Sequence, residues 1–128
     1  MILDTSAVIA AIGDEPAARE LIAKMDRADR IAMGSPTLVE SSIVLARRFG
    51  PAGLDGLVRF LKEREVEPVA FEDQHRKVAE EAFIRYGKGR HPAALNYGDC
   101  MSYASARVAD EPLLFIGNDF AKTDIPPA

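Results

Sequence analysis

The sequence predicts an α/β fold, a three-layer α/β/α sandwich with a short central parallel sheet. Four short apolar segments alternate with longer stretches that have helical spacing of apolar residues. Helices that separate short strands cover both faces of a parallel sheet. The chain has 128 residues, of which 48% are hydrophobic and 28% charged, so we expect a single domain over residues 1–128. The predicted strands are Met1–Leu3, Ile31–Met33, Val66–Ala70 and Leu113–Ile116.

Capping residues, prolines and glycines indicate the ends of the helices, which we predict over residues 7–12, 16–28, 35–49, 51–61, 72–86 and 99–109. Ser35 is expected to cap the third helix, and Pro16, Pro36 and Pro51 occupy first-turn positions. Gly50 is expected to end the third helix. The predicted buried faces are Leu38, Ser42, Leu45 and Phe49 in the third helix, Leu54, Leu57, Val58 and Leu61 in the fourth, and Ala79, Ala82, Phe83 and Tyr86 in the fifth.

The charge balance excludes some classes of protein. The formal net charge is −4 and the pI is about 5.2, which argues against a general nucleic-acid coat protein but allows a nuclease with a local basic rim. The start of the chain has no basic segment before an apolar stretch, and no apolar run approaches the roughly 20 residues that span a bilayer. We therefore expect a cytoplasmic protein without a membrane segment.

The single cysteine, Cys100, is interpreted as a small buried residue, because no base lies near it in the sequence. A zinc site is not indicated, since the chain has no cluster of cysteine and histidine.

Four acids lie next to predicted strand ends or early in the helices that follow them: Asp4, Glu40, Asp99 and Asp119. Each has an ordinary structural interpretation, as a helix cap, a surface residue or a turn residue. Together they are more informative, because the carboxyl ends of parallel strands meet at one edge of the sheet. Four carboxylates converging there would repel one another unless a cation held them. We expect at least one of them to titrate above its ordinary pKa of about 4 in the metal-free protein.

The chemistry of this acidic quartet fits a hard divalent cation. Mg²⁺ takes oxygen ligands and keeps several waters, and such ions activate water for attack on a phosphodiester. Thr5, Ser6, Asn96 and Asn118 lie beside the acids, where they are predicted to orient carboxylates or water in a second shell, although each is equally explained as a cap or turn residue.

A phosphate substrate requires positive charge near the acids. Arg85, Lys88, Arg90 and His91 precede Asp99, and we predict that Lys88, Arg90 and Arg85 hold a single-stranded nucleic-acid backbone. An ordinary solvated loop is the alternative for this segment.

These residues, taken in order, resemble the PIN-domain ribonucleases, and more specifically the VapC toxins of type II toxin–antitoxin (VapBC) systems. The resemblance covers nearly the whole chain through the start Met-Ile-Leu-Asp-Thr-Ser, Glu40 after Ser-Pro-Thr-Leu-Val, the stretch from Tyr86 to Cys100, Gly-Asn-Asp-Phe, and Phe120–Ile125. Many PIN domains carry Thr or Ser two residues before the last acid, where this chain has Gly117.

The resemblance implies a PIN-like fold and a Mg²⁺- or Mn²⁺-dependent endoribonuclease whose metal-binding and catalytic residues are Asp4, Glu40, Asp99 and Asp119. It also implies a homodimer and a VapB-like antitoxin that blocks the site. The apolar faces near Leu38–Phe49 and Leu54–Leu61 are the surfaces we expect partners to cover. Asp124, a fifth nearby acid, is interpreted as structural.

Two other hypotheses remain open on sequence. The first is a non-cleaving module of the same fold that binds RNA or protein. The second is a receiver-like phosphoryl-transfer domain, which the wide spread of the acids along the chain disfavours.

Overall fold

A sheet of four parallel strands forms the centre of the computed structural model, which describes all residues, 1–128. The strands lie in the order β3-β2-β1-β4. Their bounds are Ile2–Leu3 for β1, Ala32–Gly34 for β2, Glu67–Val69 for β3 and Leu113–Leu114 for β4. The predicted short parallel sheet is confirmed. The last strand is shorter than predicted because the Ile116 N–H turns away from the sheet and donates to the Ser6 Oγ.

Six α-helices lie on the two faces of this sheet, and together they form the predicted three-layer sandwich. None of them combines the length and the apolar character that crossing a membrane requires. Their bounds are Thr5–Ile12 for α1, Ala18–Met25 for α2, Ser35–Phe49 for α3, Pro51–Glu63 for α4, Asp73–Tyr86 for α5 and Tyr97–Ala109 for α6, and a short 3₁₀ helix follows at Phe120–Lys122.

The second helix begins later than the proline pattern predicts. Asp14 has a left-handed backbone with φ 50°, and the Ala18 N–H donates to the Glu15 carbonyl at 2.8 Å. Pro16 therefore lies in a turn, and α2 begins at Ala18 and ends at Met25 instead of near Ala28.

Ser35 and Asp99, which the sequence suggests as caps of α3 and α6, are not the N-cap residues in the structure. Ser35 is the first residue of α3, and its hydroxyl donates to the Val69 carbonyl at 2.9 Å, so it links the helix to β3 instead of capping it. Asn96 caps α6, which makes Asp99 the third residue of that helix and not the first.

Side chains on β1, β2 and β4 alternate between two apolar cores, one on each face of the sheet. The first core is completed mainly by α5, α6 and the C-terminal segment, and the second by α1 to α4. Both faces of β1, β2 and β4 are buried, as expected for parallel strands between helical layers, whereas the edge strand β3 exposes Glu67 and Pro68. The alternating strand residues are Ile2, Ala32 and Leu113 in the first core and Leu3, Met33 and Leu114 in the second.

The buried face of α3 differs from the predicted one. Thr37, Ser41 and Leu45 are buried, whereas Phe49 is 41% exposed. Small polar residues occupy this face because α3 packs closely against α6, where Thr37 Oγ1 lies 3.2 Å from the Ser102 Oγ.

The predicted faces of α4 and α5 are also partly wrong. In α4 the buried residues are Gly53, Leu57 and Phe60, while Leu54 and Val58 are exposed. A Cβ atom at Gly53 would lie 2.4 Å from the Leu45 carbonyl oxygen, so glycine permits the close approach of α4 to α3 that selects this face. In α5 the predicted buried residue Phe83 is 41% exposed.

The strand order reverses at β1. The chain passes from β1 to β2 and β3 on one side and returns to β4 on the other side. A reversal of this kind opens a crevice at the carboxyl ends of the two strands that flank it, which is where open α/β sheets bind ligands. Asp4 directly follows β1, and the loop that carries Asp119 follows β4.

Candidate active site

Asp4 lies in the crevice between the ends of β1 and β4. Its backbone N–H donates to the Leu114 carbonyl at 2.9 Å, which fixes the residue beside β4. Its side chain is buried and caps α1, because Oδ2 accepts hydrogen bonds from the Ser6 N–H at 2.9 Å and the Ser6 Oγ at 2.6 Å. Asp4 is therefore a helix cap, as the structural interpretation expects. The capping hydrogen bonds use only Oδ2, and Oδ1 has no hydrogen-bond partner.

Ser6 connects the ends of two strands. Its hydroxyl donates to Asp4 and accepts from the Ile116 N–H at 3.0 Å, across 110 positions of sequence. One hydroxyl thus orients the first acid and anchors the loop that leads to Asp119.

Glu40 reaches the same region from the second turn of α3. Its Oε2 accepts a hydrogen bond from the Thr5 hydroxyl at 2.8 Å, and Oε1 has no hydrogen-bond partner. The buried Ser41 hydroxyl donates in turn to the Thr5 oxygen at the longer distance of 3.4 Å. Ser41 is a contributor that the sequence analysis missed, because a serine between apolar helical residues gives no indication of what it contacts.

Asp99 and Asn96 form a reciprocal capping pair at the start of α6. The Asn96 N–H donates to Asp99 Oδ2 at 2.8 Å, and the Asp99 N–H donates to Asn96 Oδ1 at 3.0 Å. The pKa of Asp99 is raised from 3.8 to about 6, first by burial and then by the charges of Asp4, Asp119 and Glu40, against the lowering effect of the Asn96 N–H. A raised pKa in the quartet agrees with our expectation, and burial is its largest single cause.

Asp119 is the most exposed part of the quartet. It precedes the 3₁₀ helix on the loop after β4, and its charge contributes to the raised pKa of Asp99. Asn118 is exposed beside it and makes no hydrogen bond to any of the acids. Gly117 has a φ of 106°, which a side chain rarely adopts, so this backbone favours glycine.

The quartet forms a shared electrostatic environment but not a closed metal cage. No group of three or more acidic, histidine or cysteine side chains is close enough to enclose an ion. Nevertheless Asp4, Glu40 and Asp99 each use one carboxylate oxygen in a hydrogen bond within the protein and leave the other without a partner. An oxygen-only donor set with unpaired oxygens fits Mg²⁺ or Mn²⁺, which bind through one or two carboxylates plus water.

The basic residues before α6 divide into two groups. Lys88 and Arg90 are exposed and pair with no acid, and the Arg90 guanidinium lies 5.7 Å from the centre of the Phe83 ring. The loop that carries them is held by the bonds between the Lys88 N–H and the Leu95 carbonyl and between the Leu95 N–H and the Tyr86 carbonyl, at 3.0 and 2.9 Å.

Arg85, by contrast, already has partners. It donates to Asp124 at 3.3 Å and to the Tyr86 hydroxyl at 2.7 Å. Asp124 also accepts from the Tyr103 hydroxyl and from Arg107, both at 2.6 Å. Although burial opposes it, these donors lower the pKa of Asp124, which therefore acts as an anchor of the C-terminal segment.

Cys100 is buried in the first core. Burial, and then the charge of the neighbouring Asp99, raises the pKa of its thiol to about 11. A thiol with this pKa is not a nucleophile at neutral pH, which agrees with the structural interpretation.

The chain resembles known proteins over its whole length. The family model of the PIN domain matches residues 1–126. A VapC ribonuclease of Mycobacterium bovis is 44% identical over 126 residues, covering 98% of this chain and 91% of that protein. A ribonuclease VapC of Mycolicibacterium smegmatis is 42% identical over 125 residues, with coverage of 98% and 97%.

Solved structures share the same architecture at low sequence identity. The Mycobacterium tuberculosis VapC20 toxin, described as cleaving the sarcin–ricin loop, superposes with a TM-score of 0.78 at 17% identity, covering 99% of this chain and 97% of that one. The VapBC2 complex of Rickettsia felis, bound to a DNA fragment from its promoter, gives 0.79 at 15% identity, with coverage of 99% and 96%. The chain belongs to the PIN-domain family, and its sequence relatives within that family are VapC ribonucleases.

Proposed function

We propose that the protein is a metal-dependent endoribonuclease that acts as the toxin of a VapBC-type toxin–antitoxin pair. The observation that carries this proposal is the juxtaposition of Asp4, Glu40, Asp99 and Asp119, acids from distant parts of the chain, closely enough for three of them to raise the pKa of the fourth. The identity of 40–44% to proteins named VapC ribonucleases supports it.

One or two of Asp4, Glu40 and Asp99 would hold the cation directly through the oxygens that have no partner, the remaining acids would contact it through water, and Asp119 would lie at the outer side of the site. When bound there, Mg²⁺ or Mn²⁺ supplies charge neutralisation and water activation for phosphodiester hydrolysis. Ser6, Thr5 and Asn96 orient the carboxylates by hydrogen bonds to their other oxygens. Asp99 must be ionised to contribute, which makes binding weaker below about pH 6.

Lys88 and Arg90 would bind the RNA backbone. Four carboxylates repel phosphate, and these two unpaired cations precede α6, the helix that supplies Asp99. Arg85 has a smaller role in this proposal, because Asp124 and Tyr86 already use its donors.

Two apolar surfaces would be covered by partners. The first, which we call the α3–α5 surface, contains Val39 and Ile43 of α3, Phe83 and Ile84 of α5 and Tyr97 of α6, all between 41 and 79% exposed. Val39 and Ile43 line one groove and Phe83 and Ile84 a second one, and the two grooves share Tyr97. Contiguous exposed apolar residues of this kind mark protein interfaces, and we propose that a second copy of the chain covers this surface. Phe49 at the end of α3 and Leu54 and Val58 of α4 are exposed as well, and we propose that the antitoxin covers these residues.

Cleavage of RNA by the purified protein tests the enzymatic proposal. We expect products in Mg²⁺ or Mn²⁺, loss of products in excess chelator, and no products from Asp4→Asn in either metal. A matched control is Asp55→Asn on the exposed face of α4, which changes the net charge equally but lies outside the quartet.

The same experiment separates the enzyme from a non-cleaving module. If the wild-type protein binds RNA and yields no products in either metal, the binding module is correct. Full cleavage by Asp4→Asn, or in chelator, would exclude the proposed use of the quartet.

A further inference from the structure

The Glu40 carboxylate lies against the first turn of α6 at Gly98, a residue without a side chain. A Cβ atom at Gly98 would lie 2.5 Å from Glu40 Oε1, 2.7 Å from Oε2 and 2.8 Å from Cδ, closer than any ordinary contact. We propose that Gly98 is a positioning residue of the active site, because its missing side chain leaves the space in which the Glu40 carboxylate lies. This inference rests on the proposed nuclease function.

The backbone of Gly98 does not itself require glycine. The glycines with positive φ are Gly50, Gly89 and Gly117, and Gly98 is a regular second residue of α6. Glycine is among the poorest helix formers, so its presence at this position disfavours the α6 helix. Helix formation does not explain the glycine at position 98, whereas the space that the Glu40 carboxylate needs does explain it.

Other tightly packed glycines make a different kind of contact. A Cβ at Gly53 would meet the Leu45 backbone at 2.4 Å, and one at Gly34 would meet the buried Ser105 hydroxyl at 2.3 Å. Those contacts concern the packing of helices and strands. The contact of Gly98 is with the end of a flexible side chain, so a larger residue would displace the glutamate and leave the helix in place.

Displacement of Glu40 would break the hydrogen bond that orients it. The Thr5 hydroxyl reaches Oε2 at 2.8 Å, and the Ser41 hydroxyl contacts Thr5 from behind, so the carboxylate has one fitted position. A methyl group on residue 98 occupies that position. Gly98 therefore acts on the chemistry through Glu40 and has no contact of its own with substrate.

The variant Gly98→Ala tests this inference, with Gly56→Ala as the matched control. Gly56 is also within a helix, and its nearest contact would be the Ile12 side chain at 3.2 Å, away from the quartet. Three quantities are measured for each variant: the melting temperature without metal, the Mn²⁺ affinity by calorimetry, and the rate of RNA cleavage.

We expect Gly98→Ala to keep or raise the melting temperature while it weakens Mn²⁺ binding and cleavage by about 10–100-fold, the usual effect of disturbing the support of a metal ligand. Gly56→Ala should change neither Mn²⁺ binding nor cleavage. Because Gly98 acts through Glu40, adding Gly98→Ala to Glu40→Gln should cause no further loss of cleavage.

The possible failures are distinguishable. If the wild-type protein neither binds Mn²⁺ nor cleaves RNA, the result contradicts the proposed function itself. If the wild-type protein cleaves, three results would overturn the role of Gly98: unchanged cleavage in Gly98→Ala, a loss accompanied by a large fall in melting temperature, or a full additional loss in the double variant.

Discussion

Replacement of Asp99 by Asn is expected to stabilise the metal-free protein at neutral pH. The Asp99 carboxyl is partly buried and shares its surroundings with the charges of Asp4, Asp119 and Glu40, which together raise its pKa to about 6. An Asn side chain has nearly the same shape, and its oxygen can accept the same hydrogen bond from the Asn96 N–H. The substitution therefore removes an unfavourable charge and keeps the cap of α6.

The sign of the effect follows from proton binding. The folded pKa of about 6 lies above the ordinary value of 3.8, so between these values the folded protein binds more protons than the unfolded chain. The favourable contribution that Asp99 makes to the free energy of unfolding is fully present below about pH 4, and it is lost as the pH rises through about 6. Above that pH, the ionised group lowers the free energy of unfolding.

The size of the effect follows from the same values. At about 1.4 kcal/mol per pKa unit, the difference corresponds to about 3 kcal/mol. Screening by solvent at a partly exposed group reduces this to about 1–2 kcal/mol. We expect a net gain of about 1 kcal/mol at pH 7.5, which is about 3–5 °C in melting temperature for a chain of this size.

Urea denaturation of the metal-free proteins at pH 4.5 and pH 7.5 measures this gain, with Asp55→Asn as a control of equal charge change. The control should stay within about 0.5 kcal/mol of the wild-type protein at both pH values. If Asp99→Asn is less stable than the wild type at pH 7.5, or if its gain does not shrink toward pH 4.5, the surroundings of Asp99 do not raise its pKa and the reasoning is refuted.

Three other perturbations test separate parts of the structure. Replacement of both Lys88 and Arg90 by Ala should weaken RNA binding and reduce the slope of log K against log salt by about 1–2, as expected for two phosphate contacts; an unchanged slope would place the RNA elsewhere. Tyr103→Phe should lower the free energy of unfolding by about 1–2 kcal/mol, because Asp124 loses a hydrogen bond of 2.6 Å; no loss in urea denaturation would contradict the anchoring role. Ile43→Glu should convert the proposed dimer to a monomer in sedimentation velocity, and a wild-type protein that is already monomeric would contradict that use of the α3–α5 surface.

Several elements of the fold were accessible from the sequence because their causes are local. Short apolar runs between helical segments determine an α/β order, and Gly50 followed by Pro51 determines where α3 gives way to α4. Asp14 shows the limit of this approach, since its left-handed backbone displaced the start of α2 beyond Pro16. Buried helix faces were less predictable, because the close approach of α3 to α6 selected small residues such as Thr37 instead of the larger apolar ones.

The sequence by itself determined the chemical types at the site: four acids, the hydroxyls beside Asp4, and a basic loop before α6. Only the tertiary structure decided which oxygen of each acid is occupied, that Arg85 pairs with Asp124, and that Gly98 lies against Glu40. The physical reason is that propensity and capping act over a few residues of chain. Contacts such as Ser6 with Ile116, 110 positions apart, exist only after packing of the two cores has brought the strand ends together.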